Sequence, residues 1–579
     1  MKTFCGLLIL SLFSYVCSAT VSVKLQPLLD EIWQYNLSIS PIFATSQGVH
    51  DFDNKLANMS PDALEKRDSQ FQDFLKKLSF IDETELTRNE QISLLIQQRN
   101  LQNKIDEYRF NAHYMPLTSE SSFHSGLAFL PRSSRFKTLV DYQNYLERLE
   151  QFPIYFEQQI NWMKKGIQTG FIQPKVVLQG FENSVKGFIH DSPEDSVFYA
   201  PFHKLKTASI DSIHHQKLTE EANKIITNHV FSAYQKFFDF LITEYIPKGK
   251  SNISAISLPN GAAYYQNQSD FYTTTQMSVD EIHTLGLGEV KRIRAEMQTI
   301  INQLKYDGSI NQFIQYLRTD KKFYAQTAEE LIKEASYIAK KMDAKLPQLF
   351  NYLPRTPYGV EPVPENIAPK YTTGRYISPA NDSQPGFYWV NTFALDKRPL
   401  YALTALTLHE AVPGHHLQIS LSREMTELPD VRRYTYISAF GEGWGLYAEF
   451  LGKEVHMYDD PYDEFGRLSY EMWRACRLVV DTGMHVKGWS RQKAINYMLD
   501  NTALSEHNVT TEIDRYISWP AQALSYKIGE LTIKRLRNQA EEALGANFDL
   551  REFHQAVLEH GSIPLSVLDE NIQLFIQQQ

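Results

Sequence analysis

The chain is poor in cysteine, in long apolar runs and in positive charge. Of its 579 residues three are cysteine, and two of these, Cys5 and Cys17, fall within the first 19. Residues 1–19, MKTFCGLLILSLFSYVCSA, carry one early lysine, an apolar run and a small-residue end. That is the pattern of a secretory signal peptide cut after Ala19, too short for a stable span. Ser14-Tyr15-Val16 ahead of Cys17 lacks the leucine and small residues of a lipoprotein cut site. Once the leader leaves, Cys476 stands alone and no intramolecular disulfide can form. An exported protein of this kind, periplasmic or secreted, relies on its hydrophobic core, and about 560 residues give ample volume for one. No later stretch approaches 18 uninterrupted apolar residues, so no membrane span is expected. Lys and Arg number 58 against 68 Asp and Glu, a formal net charge of −10 that grows by one negative unit without Lys2. This acidic balance disfavours nucleic acid as a partner. The chain also has no G-x-S-x-G elbow and no Walker lysine motif, which weakens those hydrolase classes.

What the chain has in quantity is helical periodicity. Glu85–Tyr108, Phe136–Lys165 and Leu218–Tyr245 place apolar residues at i, i+3 and i+4 with charges between. There is no repeat, no low-complexity segment and no Gly/Ser linker. A proline-glycine turn at 246–252 is a soft boundary. It divides a single domain, 20–579, into a helical scaffold half (20–250) and a half that carries the motifs (251–579). Residues 259–276, PNGAAYYQNQSDFYTTTQ, read as an aromatic-rich loop, with Tyr264 and Tyr265 either facing substrate or packing on the wall. Ser278 and Glu281 then form a helix start signal. The one persuasive β region is Tyr371–Asn391, with short strands at 375–377 and 387–390 separated by Pro379, Asn381, Asp382, Pro385 and Gly386.

Chemistry concentrates in residues 400–450. LYALTALTLHEAVPGHHLQ delivers His409 and Glu410 side by side at the end of an apolar helix, followed by His415 and His416. AFGEGWGLYAEF adds Glu442 and Glu449 on a second helix. Two histidines and a glutamate are the ligand set of a catalytic zinc, with a further glutamate beside it to activate water. In H-E-x-x-H the histidines share one helix face and the glutamate is the general base, here Glu410. The spacing departs from that motif, because the residue four after His409 is Pro413. Proline opens or kinks a helix. A straight helix would set His409 and His415 about 600° apart. A distortion at Val412–Gly414 swings His415 back, so His415 is the preferred second ligand. An unbroken helix would favour His416 instead, about 10 Å further along the axis.

HEAVPGHHLQ with GEGWGLYAE resembles the domain-of-unknown-function family 885, whose pattern reads H-E-x-x-P-G-H. That family looks like a remote relative of zinc carboxypeptidases of the Taq type and of the thimet-oligopeptidase group. In the Taq type the first glutamate of H-E-S-Q-S-R-L-W-E is the third zinc ligand, and the resemblance gives that role to Glu442. The implied fold is mainly α, a large helical zinc-peptidase-like body with a deep central cleft and a small β-sheet beside the HE helix. WPAQALSYKIGELTIKRLR resembles the F-P-T-Y-x-L-G segment, which brings Tyr526 forward as donor to the developing oxyanion.

Substrate contacts are expected from three places. An edge strand at 387–391 would pair with an extended peptide, through Tyr388, Val390 and Asn391. His485, on the amphipathic helix Tyr470–His485, and Arg515, able to grip a carboxylate with two prongs, complete the set. The function expected is zinc-dependent hydrolysis of short peptides, carboxypeptidase- or oligopeptidase-like. Two rivals are a zinc amidohydrolase acting on a non-peptide amide or cell-wall cross-link, and a non-catalytic binding protein on a peptidase fold.

Overall fold

The computed structural model describes residues 25–205, 210–365, 367–379 and 384–579. The expected leader and the Asn381-Asp382 turn lie outside these. Helices hold 69% of the chain, and among the described residues there is one sheet, of three strands. The fold is therefore mainly α. One continuous cluster of buried side chains runs from Leu56 to Ile572, through both halves of the chain. No described helix is long and apolar enough to cross a membrane.

Eight helices frame the site: α1 (Gly261–Thr273), α2 (Val279–Gln303), α3 (Leu403–Glu410), α4 (His415–Glu424), α5 (Ser438–Leu451), α6 (Pro461–His485), α7 (Glu506–Ser518) and α8 (Ser525–Leu544). Their ends follow local chemistry. Ser278 and Glu281 form the expected capping box of α2. Asp460 caps α6, whose first residue, Pro461, lacks only an amide the helix would leave unpaired anyway. Phe136–Lys165 is two helices rather than one, Leu139–Glu150 and Phe152–Thr169, parted at Gln151 just before Pro153.

Two expectations fail in the motif-bearing half. Residues 261–273 are helical, not a loop, and Tyr264 and Tyr265 are buried. Tyr265 donates to Asp481 of α6 at 2.6 Å, so this segment packs the wall. The second error concerns the sheet. Its order is β1 (Tyr358–Pro362), β3 (Gly386–Val390), β2 (Gly374–Ile377), with β1 parallel and β2 antiparallel to β3. The strand at 387–390 is thus the inner one, paired on both sides, and no substrate can add to it. β1 was hidden because Pro354, Pro357, Pro362 and Pro364 punctuate it like a loop. The edge towards the HE helix belongs to β2.

Helices α5 and α8 meet almost backbone to backbone. A Cβ on Gly443 would lie 2.5 Å from Gly529 Cα, and one on Gly529 would lie 1.9 Å from the Ala439 carbonyl oxygen. The Ser438 and Ser525 hydroxyls tie the two helix starts at 2.8 Å. Glu442 and Tyr526 lie on this contact, next to its glycines. Gly529→Ala should therefore destabilise the fold by about 1–3 kcal/mol. Gly288→Ala, in a helix interior with no atom within 4 Å, should be neutral or stabilising by up to about 1 kcal/mol. Equal thermal midpoints for the two variants would contradict this packing.

Candidate metal centre

Helix α3 ends on Glu410, and the next four residues leave helical geometry. Ala411 has φ −93° and ψ −113°, the Val412–Pro413 peptide is cis, and Gly414 has φ −79° and ψ −127°. Gly414 presses onto the end of α3, where a Cβ would stand 1.9 Å from the His409 carbonyl oxygen. The Trp444 indole of α5 donates to the Pro413 carbonyl at 2.8 Å and anchors the turn. As a result α4 restarts with His415 beside His409, ring centroids 4.8 Å apart and planes at 90°.

Glu442 approaches both rings from α5. Its Oε2 is 3.5 Å from His409 Nε2 and 3.3 Å from His415 Nε2. One ligand atom from each of the three residues lies within 4.8 Å of the others. Zinc–nitrogen and zinc–oxygen bonds of about 2.0–2.1 Å at tetrahedral angles set ligand atoms about 3.4 Å apart. The two histidine–carboxylate distances match that edge and are long for hydrogen bonds. Gly445 makes room for the His409 ring, since a Cβ there would come within 2.7 Å of it.

His409 is oriented from behind. Its Nδ1 is 2.8 Å from Glu449 Oε1, which turns Nε2 towards Glu442. Arg474 of α6 stands 3.3 Å from the same carboxylate oxygen. In the bare cluster burial lowers the His409 pKa, but the carboxylates of Glu442 and Glu449 outweigh it and hold the ring at about 9. Burial works to raise Glu442, yet His415 and His409 keep it well below the usual carboxylate range. A cation entering at neutral pH would thus displace a proton from His409, and its affinity would fall as pH falls. His416 points elsewhere. Its Nδ1 lies 3.1 Å from the Tyr376 hydroxyl, its ring packs against Tyr358, and burial lowers its pKa to about 4.

Around the triad stand three further groups. Glu410 Oε2 accepts the Tyr376 main-chain N–H at 2.7 Å, which fixes this carboxylate against the outward edge of β2. The Tyr526 ring lies 6.4 Å from His409 and nearly parallel to it, with the Arg477 guanidinium 4.1 Å over its face. Burial and Glu442 raise the Tyr526 pKa against the pull of Arg477 and Arg515, so the phenol keeps its proton. Tyr436, which the sequence did not single out, has its ring 6.4 Å from His415 and its phenol close enough to act on Glu442. Tyr436 is itself 46% exposed.

The five expected substrate contacts are committed to the scaffold. Tyr388 is fully buried, its hydroxyl 3.3 Å from that of Thr407. Val390 lies in the core, and the Asn391 amide donates to three carbonyls, of Ala368, Tyr371 and Thr372. His485 Nε2 bonds the Tyr516 carbonyl at 2.9 Å while its Nδ1 accepts the Ala255 N–H at 3.0 Å, so both ring nitrogens are used. Arg515 pairs with Glu512 at 3.1 Å and with Gln522 at 2.7 Å. The partners of Tyr388, Asn391 and His485 lie far along the chain, whereas Arg515 pairs with Glu512 on its own helix and with Gln522 just beyond it.

The family described as "Bacterial protein of unknown function (DUF885)" matches residues 41–572. The chain belongs to this family. Among solved structures, the DUF885 chain is similar to the putative lipoprotein from Colwellia psychrerythraea, with 29% identity and TM-score 0.88 over 97% of this chain and 100% of that one. A putative lipoprotein of unknown function from Shewanella oneidensis shares the fold at 19% identity and TM-score 0.71, over 94% and 99% of the two chains. No curated protein matches. For this DUF885 chain, His415→Ala should abolish binding of stoichiometric zinc, while His416→Ala should retain it with some loss of stability. Metal analysis of the purified variants checks this, and loss of zinc in the His416 variant alone would refute the ligand set.

Proposed function

We propose that this chain is an exported zinc-dependent hydrolase that cleaves amide bonds of short peptides. The observation that carries the reading is the His409–His415–Glu442 triad, spaced as ligands of a tetrahedral ion, with Glu410 fixed beside it. Three protein ligands leave a fourth position for water, the composition of a catalytic rather than a structural site. A zinc ion bound there would supply Lewis acidity and a water acidified towards neutral pH.

The remaining work falls to side chains. Glu410, with one oxygen on the Tyr376 N–H, keeps the other for the water proton and later delivers that proton to the leaving amine. Tyr526, a protonated phenol whose ring lies beside His409, donates to the oxyanion as the carbonyl becomes tetrahedral. Glu449 holds the His409 ring in its ligating tautomer. The register of β2 against β3 turns the main-chain groups of Gly374 and Tyr376 away from the sheet. An extended peptide can lie along that edge, where Glu410 already uses one N–H. Export is supported by the composition of residues 1–19 and by two structural relatives described as putative lipoproteins.

Glu410→Gln keeps the shape and removes the base. Zinc content should be unchanged while turnover of a mixed peptide library falls by roughly 10²–10⁴. Products are read by mass spectrometry with and without a chelator. Undiminished turnover in the zinc-loaded variant would exclude Glu410 as base, and wild type that leaves the whole library intact would overturn the hydrolase reading.

A further inference from the structure

Arg398 is a buried cation without a counter-charge. It is 6% exposed, and its pKa falls below the usual arginine value because burial outweighs the pull of Tyr470 and Asp396. Asp396 faces solvent, 72% exposed, and pairs with Lys397 at 2.8 Å. Among the described residues no other carboxylate acts on Arg398. Its donors are little better matched. Nε donates to the Phe393 carbonyl at 3.3 Å and Nη1 to the Thr373 hydroxyl at 3.5 Å, both long, and Nη2 has no acceptor among the described residues. Arg432, also buried, shows the contrast. Its guanidinium is enclosed by the Asn89 carbonyl at 3.4 Å, the Ser93 hydroxyl at 3.1 Å and the His560 carbonyl at 2.6 Å. A charge taken out of water destabilises a fold unless it is paired and hydrogen-bonded.

Beside Arg398 lies a cavity of about 20 Å³, room for one particle the size of a water molecule. Thr373 and Tyr470 line it with the arginine, and Leu403 and Leu406 of α3 form part of its apolar wall. Tyr470 belongs to α6 and is 3% exposed. Its carbonyl takes the Arg474 guanidinium at 3.3 Å, but its hydroxyl has no hydrogen-bond partner among the described residues. Asn391 also borders the cavity, yet its amide donates to three carbonyls and its oxygen accepts the Phe393 N–H at 2.9 Å. The lining groups with hydrogen-bonding capacity left are therefore a guanidinium, a phenol and a threonine hydroxyl, and no carboxylate is among them. Donors and a net positive charge around one water-sized space suit a monatomic anion. A water molecule would accept two of the hydrogen bonds and leave the charge unmatched, while carboxylate and phosphate groups are too large.

We propose that Arg398, Thr373 and Tyr470 bind one chloride ion, which fastens the start of β2 to the HE helix. Thr373 leads directly into β2, where the Tyr376 N–H holds Glu410 at 2.7 Å. The opposite wall of the cavity is α3, the helix that ends on Glu410. An ion there neutralises Arg398 and ties the strand, the helix and α6 at one point. Its place does not depend on the hydrolase reading, because it concerns how the elements that carry the triad and Glu410 are held together.

The test uses the full chain. Crystals grown with sodium bromide in place of chloride, measured at the bromine absorption edge, should show an anomalous peak beside the Arg398 guanidinium and the Tyr470 hydroxyl. In solution, chloride is exchanged for gluconate at constant ionic strength, which separates binding from screening. Chloride at about 100 times its Kd should raise the thermal midpoint by about 2 °C over gluconate. Arg398→Gln should abolish that difference. Tyr470→Phe, which removes one oxygen and keeps the ring, should lower chloride affinity about 10–100-fold, the range of a hydrogen bond to a charged group. This second variant decides the matter even if the arginine variant does not fold. A water in place of bromide, equal midpoints in chloride and gluconate, or a chloride effect unchanged by either substitution would each overturn the proposal. A bromide peak together with equal midpoints would mark an adventitious ion only, and would overturn it as well.

Discussion

Everything at the site depends on where α3 stops. If the helix ran one turn further, His415 would rotate away from His409 and Glu442 would face a single imidazole. The contact that prevents this is Gly414 against the Leu408 and His409 carbonyls, a space in which any side chain collides at under 2.6 Å. The same turn is held from α5 by the Trp444 indole, and Gly445 of α5 leaves room for the His409 ring. The first and second halves of the motif are thus complementary surfaces as well as ligand donors. GEGWG is glycine-rich, a poor helix former by propensity, and is helical because of what packs on it.

Behind the triad, α6 acts as a charged spine. Arg474 meets Glu449, Arg477 lies over Tyr526, and Asp481 receives Tyr265. Lys527, next to Tyr526 on α8, is fully buried and paired with Glu289 at 3.0 Å, Glu471 at 2.8 Å and Glu530 at 2.6 Å. Buried ions of this kind add little net stability, but losing one partner costs about 3–5 kcal/mol. Their effect is to fix α2, α6 and α8 in one relative arrangement. That arrangement sets the distance between Tyr526 and His409, and with it the geometry in which the phenol can act.

The triad was legible in the sequence because its chemistry is local: HE, a proline, then a histidine, and a glutamate followed seven residues later by another. His409, Glu410 and His415 follow from residue type and from how proline treats a helix, whereas the choice of Glu442 over Glu449 came from the family resemblance. Glu449 was visible as a repeat of Glu442, although its role behind His409 needs the α3–α5 packing. What stayed hidden depends on partners far away in the chain. β1 pairs with β3 across more than twenty residues and reads as a proline-rich loop, so the inner strand was taken for an edge. His485 carries the right chemistry but spends it on Tyr516 and Ala255, while Arg515 spends its own close by, on Glu512 and Gln522. A residue's type indicates what it can bind, and only the packing decides whether that capacity is already used.

The central claim is that His409, His415 and Glu442 together hold one zinc ion. It is tested most directly by anomalous diffraction at the zinc absorption edge from crystals of the wild-type protein. The account predicts a single strong peak about 2.0–2.2 Å from the two Nε2 atoms and the Glu442 carboxylate. A well-ordered site with no peak, or a peak coordinated by His416 or Glu449 in place of these residues, would contradict it.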